Sequence, residues 1–418
     1  MNLKRVVVTG IGTVSPLGNN IPELWDAASQ GKSGSDWITH FDASPFKTRF
    51  ACEVKNFDAK AHIDRKLVRK LDRFTQYALV SVAEAIDSSG LLDGEELEKD
   101  DVGVIWASGI GGLDTLIDEM KNFIKNDMKP RFSPFFIPKM IADIAAGHIS
   151  MKYGFRGPNF ATVSACASSS NAIIDAFNYI RLGKANAFVT GGSEAAINEA
   201  GLGGFGSMQA ISRNNEEYKT ASRPFCATRD GFVMGEGAGA IILEEYEHAV
   251  KRGAPIIAEL VGGGMAADAH HVTAPDPDGS GASLVMKRAL DDAKLNPEKI
   301  DYINVHGTAT PTGDVAELKG IHSVFGDHSF DMNISSSKSM VGHLLGAAGA
   351  LESILCILAI NNNLAPPTIN HQKWDENIDK HFNLTLHKAQ EKDINVAMSN
   401  TFGFGGHNTS VIFKSFDK

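Results

Sequence analysis

The amino-acid sequence predicts an α/β fold assembled from two related halves. Runs with strand character alternate with runs of helical periodicity along the 418 residues, a pattern typical of layered α/β structures. The second half of the chain repeats the order of elements found in the first, although the identity between the halves is weak. Such a repeat indicates halves related by a pseudo-twofold axis. We therefore expect one half over residues 1–252 and the other over residues 253–418.

In the first half, short apolar runs beside glycines indicate strands. These predicted strands lie at residues 6–9, 101–108, 160–163, 187–191 and 240–244. Apolar residues spaced three and four positions apart predict helices between them. These helices lie at residues 22–30, 73–88, 113–126, 139–153, 171–182 and 246–252. A glycine-rich stretch lies at residues 201–206.

The second half shows the same succession of elements. Its predicted strands and helices lie at residues 254–261, 280–293, 300–305, 343–360 and 409–414. The helix and strand at 73–108 correspond to those at 280–307, and the helix after Cys166 corresponds to the helix opened by His343. We expect these last two helices to pack against each other, because the small residues at 346–349 permit close contact.

Composition and charge exclude several classes of function. The net charge of −10 argues against nucleic acid as the main partner. The four widely spaced cysteines form no CxxC pair and no disulfide pattern, which favours a reducing cytosol. The most apolar stretch, at residues 344–360, is too short to span a membrane and carries Glu352 in its middle. We therefore expect a cytoplasmic protein that binds neither nucleic acid nor membranes.

The chain is organised around Cys166, which lies between a predicted strand and the predicted helix at 171–182. Small residues surround it in the segment VSACASSS at 163–170, so the sulfur is approachable. A helix N-terminus favours negative charge and lowers a thiol pKa from about 8.5 into roughly the 3.5–7.5 range. The sequence thus predicts a thiolate nucleophile, with a packed core cysteine as the alternative.

Two histidines lie at the ends of predicted elements in the second half. His306 directly follows the strand at 300–305, and His343 opens the helix at 343–360. Sites in α/β proteins form at strand carboxyl ends and helix N-termini, which is also where Cys166 lies. We expect the three side chains to converge, with the histidines handling protons or donating to an oxyanion. A structural role is the alternative for each histidine alone.

An ion pair is predicted between Lys338 and Glu352. Lys338 precedes His343 by five residues, and Glu352 lies on an otherwise apolar helix. A carboxylate that is buried there needs a partner. The alternative is that Lys338 is a surface residue.

Two further segments are candidates for the same site. Thr308 and Thr310 follow His306, and their hydroxyls serve either the turn itself or an amide-bearing substrate chain. The segment NTFGFGGHN at 400–408 is too rich in glycine to be a strand. It predicts either a turn with two core phenylalanines or a mobile aromatic gate over the sulfur, with a backbone N–H in an oxyanion hole.

No pattern in the sequence predicts a metal or an organic cofactor. The glycine-rich segment 262–267 follows a strand but opens no helix, so it is not a dinucleotide site. The segment 276–279 resembles a calcium loop without its terminal ligands, and His270 and His271 lack further ligands at metal spacing. The basic run at 64–74 is either a solvated helix face or a docking surface for an acidic partner.

Four of these segments together resemble the β-ketoacyl-acyl-carrier-protein synthases. They are the Cys166 turn, HGTAT at 306–310, Lys338 with GHLLGAAG at 342–349, and NTFGFGG at 400–406. The likeness covers nearly the whole chain in order. The Cys-His-His set is similar to the elongating enzymes, whereas the initiating type uses Cys-His-Asn and a thiolase carries a second active cysteine. Ile110 in GIGG and Phe205 in GGFG are more similar to the synthase II branch than to synthase I.

The resemblance implies a thiolase-like fold, with five alternating αβαβα layers in two pseudo-twofold-related halves, and usually a homodimer. It implies that Cys166 accepts an acyl chain from an acyl carrier protein and condenses it with malonyl carrier after decarboxylation. Fatty acids are thereby extended by two carbons. His306 and His343 would stabilise the enolate, while Lys338 paired with Glu352 shapes the field around them. No cofactor is implied.

The same resemblance implies further roles. The oxyanion hole is formed by the backbone N–H groups of Cys166 and Phe404, and the gate by Phe402 and Phe404. The implied pantetheine-binding residues are Thr308, Thr310 and Thr273. The acyl pocket is implied to contain Ile110 and Phe205. The implied docking residues for the carrier protein are Lys66, Arg69, Lys70 and Arg131.

The sequence departs from the family pattern at three positions. Ser164 and Ser168 stand where threonine is usual, and each retains a hydroxyl. Gln209 stands where an arginine that contacts the carrier is frequent. Alternatives to fatty acid elongation are a polyketide or aryl-polyene ketosynthase with the same chemistry, a non-condensing partner subunit and a scaffolding protein. Cys166 argues against the partner subunit, and reactive residues at three element ends argue against the scaffold.

Overall fold

The computed structural model describes residues 3–93 and 97–416. Its strands are β1 Val6–Val14, β2 Asp36–Trp37, β3 Phe50–Ala51, β4 Val102–Ala107, β5 Asn159–Phe160, β6 Ala187–Glu194, β7 Gly237–Glu245, β8 Ala258–Ala267, β9 Tyr302–Asn304, β10 Asn333–Ser335, β11 Leu364–Ala365, β12 Gln390–Glu391, β13 Val396–Gly403 and β14 His407–Lys414. Its α-helices are α1 Ile21–Ser29, α2 Arg65–Val68, α3 Arg73–Ser89, α4 Leu113–Lys125, α5 Phe136–Met140, α6 Ile144–Tyr153, α7 Ser168–Arg181, α8 Glu199–Ser207, α9 Tyr246–Lys251, α10 Ser280–Ala293, α11 Gly313–Phe325, α12 His328–Asp331, α13 Lys338–Val341 and α14 Ala348–Asn362.

Ten strands form one sheet in the order β10-β9-β13-β14-β8-β1-β7-β6-β4-β5. The order is symmetric about the antiparallel contact between β1 and β8, where Val6 pairs with Leu260. From this contact outwards, the first two strand pairings on each side are antiparallel and the last two are parallel. The sequence order of the five strands is also the same in both halves. The predicted duplication is therefore present in the topology.

The helices and the two half-sheets form five layers. Successive residues of β8 point to opposite faces of the sheet, so the neighbours of its glycines show which helix covers each face. A Cβ at Gly263 would lie 3.0 Å from Ile174 of α7, whereas Cβ atoms at Gly262 and Gly264 would meet Ala289 of α10. Helices α7 and α14 contact strands of both halves, while α3 contacts the first half and α10 the second. The central layer is thus α7 with α14, which confirms the αβαβα order.

Close contact between the N-terminal turns of α7 and α14 joins the two halves. The backbone N–H of Ala350 donates to Ser169 Oγ at 2.9 Å. A Cβ at Gly349 would lie only 2.0 Å from Ser170 Oγ, so glycine is required there. Contrary to the expectation that this stretch is too short, the helical segment Leu345–Asn362 is long and apolar enough to cross a membrane, but 89% of it is buried inside the fold.

Two expectations about local structure are wrong, and one segment that the sequence left without an assignment is helical. The glycine-rich stretch at 201–206 lies within helix α8, whose start is capped when Asn198 Oδ1 accepts the N–H of Gly201 at 2.9 Å. The segment 400–408 contains the end of β13, the turn and the start of β14. Backbone hydrogen bonds between the two strands hold it extended, although glycine alone does not favour a strand. The helix predicted from residue 343 begins at Ala348, after a 3₁₀ turn.

The contact at Gly349 gives a prediction about stability. Gly349→Ala should lower the free energy of unfolding by about 1–3 kcal/mol, because the added methyl group overpacks the interface between α7 and α14. Gly147→Ala in α6 is the matched control, since its Cβ would meet no atom within 4 Å. The control should be neutral or stabilise by up to about 1 kcal/mol. Equal denaturation midpoints for the two variants would contradict the packing argument.

Candidate active site

A tight turn before α7 presents Cys166. Ala165 adopts a left-handed φ of 51°, and the N–H of Ala167 donates to the carbonyl of Ser164 at 3.1 Å. Ser168 Oγ braces the turn, because it accepts the N–H of Ser164 and donates to the carbonyl of Ala165. The turn places the Cys166 sulfur just before the first residue of α7, with 8% of the residue exposed.

The thiol of Cys166 differs from the sequence expectation in its ionisation. Burial raises the pKa of Cys166 to about 12, against the opposing effects of the Lys338 charge and the Phe404 N–H. The expected lowering of the Cys166 pKa is therefore wrong. Removal from water disfavours the charged thiolate, and this effect exceeds the stabilisation that the Lys338 charge and the Phe404 N–H provide.

His343 contacts the cysteine directly. Its Nε2 lies 3.0 Å from Cys166 Sγ, and its Nδ1 accepts the N–H of Leu345 at 3.3 Å. An Nδ1 that accepts places the proton on Nε2, so the neutral ring donates to the sulfur. Burial and the charge of Lys338 lower the pKa of His343 well below its usual value, which keeps the ring neutral.

His306 lies beside this pair. Its ring centroid is 5.3 Å from that of His343, and the two rings are nearly perpendicular at 84°. Glu317 on α11 holds the backbone, since it accepts the N–H groups of His306 at 2.9 Å and Gly307 at 2.8 Å. Burial, Lys338 and His343 all lower the pKa of His306 well below its usual value. Both imidazoles are therefore neutral hydrogen-bonding groups.

Lys338 and Glu352 form a buried ion pair behind the histidines. Lys338 Nζ donates to Glu352 Oε1, and each side chain is 2% exposed. Burial raises the pKa of Glu352 to about 7, against the charge and hydrogen bond of Lys338. Thr401 Oγ1 donates to the other carboxylate oxygen at 3.4 Å. The pair brings a positive charge near the histidines and the sulfur, where it favours negative charge.

The turn of the β13–β14 hairpin covers the sulfur. The backbone N–H of Phe404 donates to the Cys166 thiol. A Cβ at Gly403 would lie 2.7 Å from the Ser164 carbonyl, so the hairpin approaches the cysteine closely because glycine is present. Phe402 packs beside His306 with ring centroids 5.7 Å apart. Phe402 and Phe404 both line the cavity that contains Cys166, and their role as a gate stays a prediction.

These residues line a single cavity of about 270 Å³. Its lining includes Cys166, His306, His343, Phe402, Phe404, Thr273, Thr308, Thr310 and Phe205. The hydroxyls of Thr308 and Thr310 lie 3.1 Å apart in this cavity. Ile110 does not line it, and 41% of that residue is exposed. The acyl-pocket role of Ile110 therefore stays a prediction.

The basic residues expected to dock a carrier lie on the surface around α2 and before α5. Lys66, Arg69, Lys70 and Arg131 are all exposed. Lys70 Nζ lies 5.0 Å from the ring of Phe135, which links the two segments. Their role also stays a prediction.

Two buried acids near the site were missed in the sequence. Glu317 holds the backbone of His306, and Glu194 at the end of β6 accepts the N–H of Gly346, three residues after His343. A signal was available for both, because each stands among apolar or small residues, where an unpaired carboxylate is costly. The helix that carries Glu317, α11, was itself not predicted.

Comparisons with known proteins agree with this geometry. The family model for the N-terminal domain of β-ketoacyl synthases matches residues 3–249, and the model for the C-terminal domain matches residues 257–372. A 3-oxoacyl-[acyl-carrier-protein] synthase 2 of Coxiella burnetii is 46% identical over 418 residues, covering 100% of both chains. One of Staphylococcus aureus (strain COL) is 45% identical over 414 residues, covering 99% of each chain.

Solved structures show the same likeness. A β-ketoacyl synthase from Burkholderia phymatum superposes with a TM-score of 0.91 at 36% identity, over 99% of this chain and 100% of that one. A type II polyketide ketosynthase in complex with its acyl-carrier protein has the same TM-score and coverage at 30% identity. Since both domain models match and full-length relatives share nearly half of their residues, the chain belongs to the β-ketoacyl synthase family.

Proposed function

We propose that the protein is a 3-oxoacyl-[acyl-carrier-protein] synthase II, which condenses malonyl carrier with an acyl chain held on Cys166. The observation that carries this proposal is the approach of His343 Nε2 to within 3.0 Å of Cys166 Sγ, with His306 next to it. The two halves, residues 1–252 and 253–418, supply the nucleophile and the histidines respectively.

The first step loads the acyl chain. The sulfur of Cys166 attacks the acyl-carrier thioester, a new thioester forms on the protein, and the carrier leaves as a thiol with the proton. The N–H groups of Cys166 and Phe404 stabilise the oxyanion of the tetrahedral intermediate. Because burial favours the protonated thiol, Cys166 must lose its proton in the course of this attack. Lys338 favours this ionisation electrostatically.

The second step breaks the bond between the malonyl carboxylate and its methylene carbon. Carbon dioxide leaves, and the electron pair moves into an enolate whose oxygen accepts hydrogen bonds from His306 and His343. The methylene carbon then attacks the acyl carbonyl on Cys166. The new carbon–carbon bond forms, the carbon–sulfur bond breaks, and Cys166 leaves as a thiolate that takes up a proton. Lys338, paired with Glu352, stabilises the negative charge that develops beside it.

The substrate arms follow the cavity. We assign the pantetheine chain to Thr308, Thr310 and Thr273, whose hydroxyls suit its amides. We assign the acyl chain to the aromatic side of the cavity beside Phe205, with Phe402 and Phe404 as the gate, and we assign Ile110 to the part of the acyl path that lies outside this cavity. Phe205 packs between Phe232 and Phe404, with ring centroids at 5.5 and 6.5 Å, which favours an apolar chain there.

Identity favours fatty acid elongation over a specialised pathway. The relatives named 3-oxoacyl-[acyl-carrier-protein] synthase 2 are 45–46% identical to this chain, whereas the polyketide ketosynthase is 30% identical. A polyketide or aryl-polyene ketosynthase is the second candidate, because its chemistry is the same. We place the protein in the cytoplasm, where its four free cysteines remain reduced.

The condensing function is tested with acyl-carrier and malonyl-carrier substrates of graded chain length. The wild-type protein should form β-ketoacyl carrier and an acyl adduct on Cys166, and Cys166→Ala should form neither. His343→Ala should reduce carbon dioxide release about 10²–10³-fold, the effect of one oxyanion donor, while the acyl adduct still forms. Mass spectrometry measures the adduct. Equal loss of both half-reactions would contradict this assignment.

We also propose that the acyl carrier protein docks on the basic surface formed by Lys66, Arg69, Lys70 and Arg131. Arg69→Glu should raise KM for acyl carrier, with a smaller effect at high salt because screening weakens surface charges. Lys299→Glu is the matched control, since this exposed residue lies before β9, at the end opposite His306. Carrier-free acyl-pantetheine should react equally with both variants. An unchanged KM for Arg69→Glu would exclude this surface.

A homodimer is proposed from the distribution of exposed apolar residues. Nine of the eighteen large apolar residues exposed in the described chain lie between Ile110 and Val163, a concentration typical of interfaces. Ile137→Glu, at a residue 54% exposed, should convert the dimer into monomers in sedimentation experiments. Val250→Glu, at a residue 49% exposed on α9, should leave it dimeric. A monomeric wild-type protein would contradict the proposal.

A further inference from the structure

The buried carboxylate of Glu194 connects the two halves of the protein beside the active site. Its Oε1 accepts Ser108 Oγ at 2.9 Å and the N–H of Ile110 at 3.2 Å. Its Oε2 accepts the N–H of Gly109 at 2.8 Å and the N–H of Gly346 at 3.0 Å. The first three donors belong to the loop after β4 in the first half. The fourth belongs to the turn that follows His343 in the second half.

That turn has an unfavourable backbone conformation. Leu345 has a φ of 49°, in the left-handed region that residues other than glycine rarely adopt. Such a conformation persists only when its surroundings hold it. A Cβ at Gly346 would lie 2.2 Å from the nitrogen of Gly109 and 2.7 Å from Glu194 Oε2. The turn is therefore pressed against the Glu194 carboxylate, and the hydrogen bond to Gly346 holds it there.

The conformation of Leu345 has a direct effect on His343. Its N–H is the group that donates to His343 Nδ1 at 3.3 Å, and this bond keeps the imidazole proton on Nε2. If Leu345 relaxed to a negative φ, its N–H would turn away, and Nδ1 would be free to carry the proton. Nε2 would then be an acceptor and would no longer donate to Cys166 or to a substrate oxygen.

We propose that Glu194 is a positioning residue that holds the Leu345–Gly346 turn and thereby keeps the His343 proton on Nε2. The effect of Glu194 on the tautomer of His343 follows from the structure alone, whereas the effect of Glu194 on decarboxylation rests on the proposed function. Glu194 is 0% exposed, so its hydrogen bonds act without competition from water. A carboxylate suits this position because both oxygens accept, and each accepts two hydrogen bonds.

The test is the ¹⁵N spectrum of the imidazole rings in the full-length protein, with the His343 signals identified by their absence in His343→Ala. In the wild type, His343 should be protonated on Nε2 alone. In Glu194→Gln only one oxygen accepts, so the bond to Gly346 is lost or loses its charge assistance. We expect a mixture of the two tautomers. Carbon dioxide release from malonyl carrier should fall about tenfold, the size of one lost hydrogen bond, with less effect on acylation of Cys166.

Glu84→Gln is the matched control. Glu84 is a partly buried carboxylate that also accepts two backbone N–H groups, from Ile21 at 2.7 Å and Thr13 at 2.8 Å, but it lies on α3 away from the cavity. This variant should leave the His343 signals and the ratio of the two half-reactions unchanged. Glu194→Asp, which keeps the charge but is too short to reach both loops, should reproduce the effect of Glu194→Gln.

The proposal is overturned if wild-type His343 carries its proton on Nδ1, a measurement that does not depend on whether any variant folds. It is also overturned if a folded Glu194 variant retains the wild-type His343 signals. Failure of the wild-type protein to condense substrates would refute the proposed function and leave the tautomer measurement valid. The two proposals therefore fail in different experiments.

Discussion

The hydrogen bond between His343 and Cys166 is the contact on which the site depends, because its two partners come from different halves. Cys166 is presented by the turn before α7, and His343 by the turn before α14. The N-terminal ends of these helices meet at Ser169 and Ala350. An interface so closely packed at Gly349 therefore fixes the distance between the nucleophile and the group that donates to it. Close packing of this kind allows little displacement.

Burial dominates the electrostatics of the site. It raises the pKa of Cys166 and lowers the pKa of both histidines, so the three groups are neutral before substrate binds. The charged groups are Lys338 and Glu352, which form a buried ion pair behind these three side chains. Such an arrangement places donors and a positive field where negative charge develops during the reaction. The cysteine gains its reactivity from this environment when it loses its proton, not from a thiolate present at rest.

Much of this organisation was predictable from residues near one another in the chain. The alternation of strands and helices, the repeated order and the positions of His306 and His343 at element ends are local patterns, and the structure contains them. The errors occur where distant segments decide the outcome. The segment at 400–408 forms a strand pair despite its glycines, because β13 and β14 pair through backbone hydrogen bonds. A glycine is needed at position 403, where the hairpin closely approaches the cysteine turn.

The sequence by itself determined the α/β class, the duplication and the residue types of the reactive set, because periodicity and motif spacing are properties of neighbouring residues. Only the tertiary structure decided the protonation of Cys166, the tautomer of His343 and the parts taken by Glu194 and Glu317. Each of these depends on burial and on hydrogen bonds between segments far apart in the chain. Glu194 and Gly346 are separated by 152 positions, yet one hydrogen bond joins them. Solvation and contacts of this range come into existence only when the chain folds.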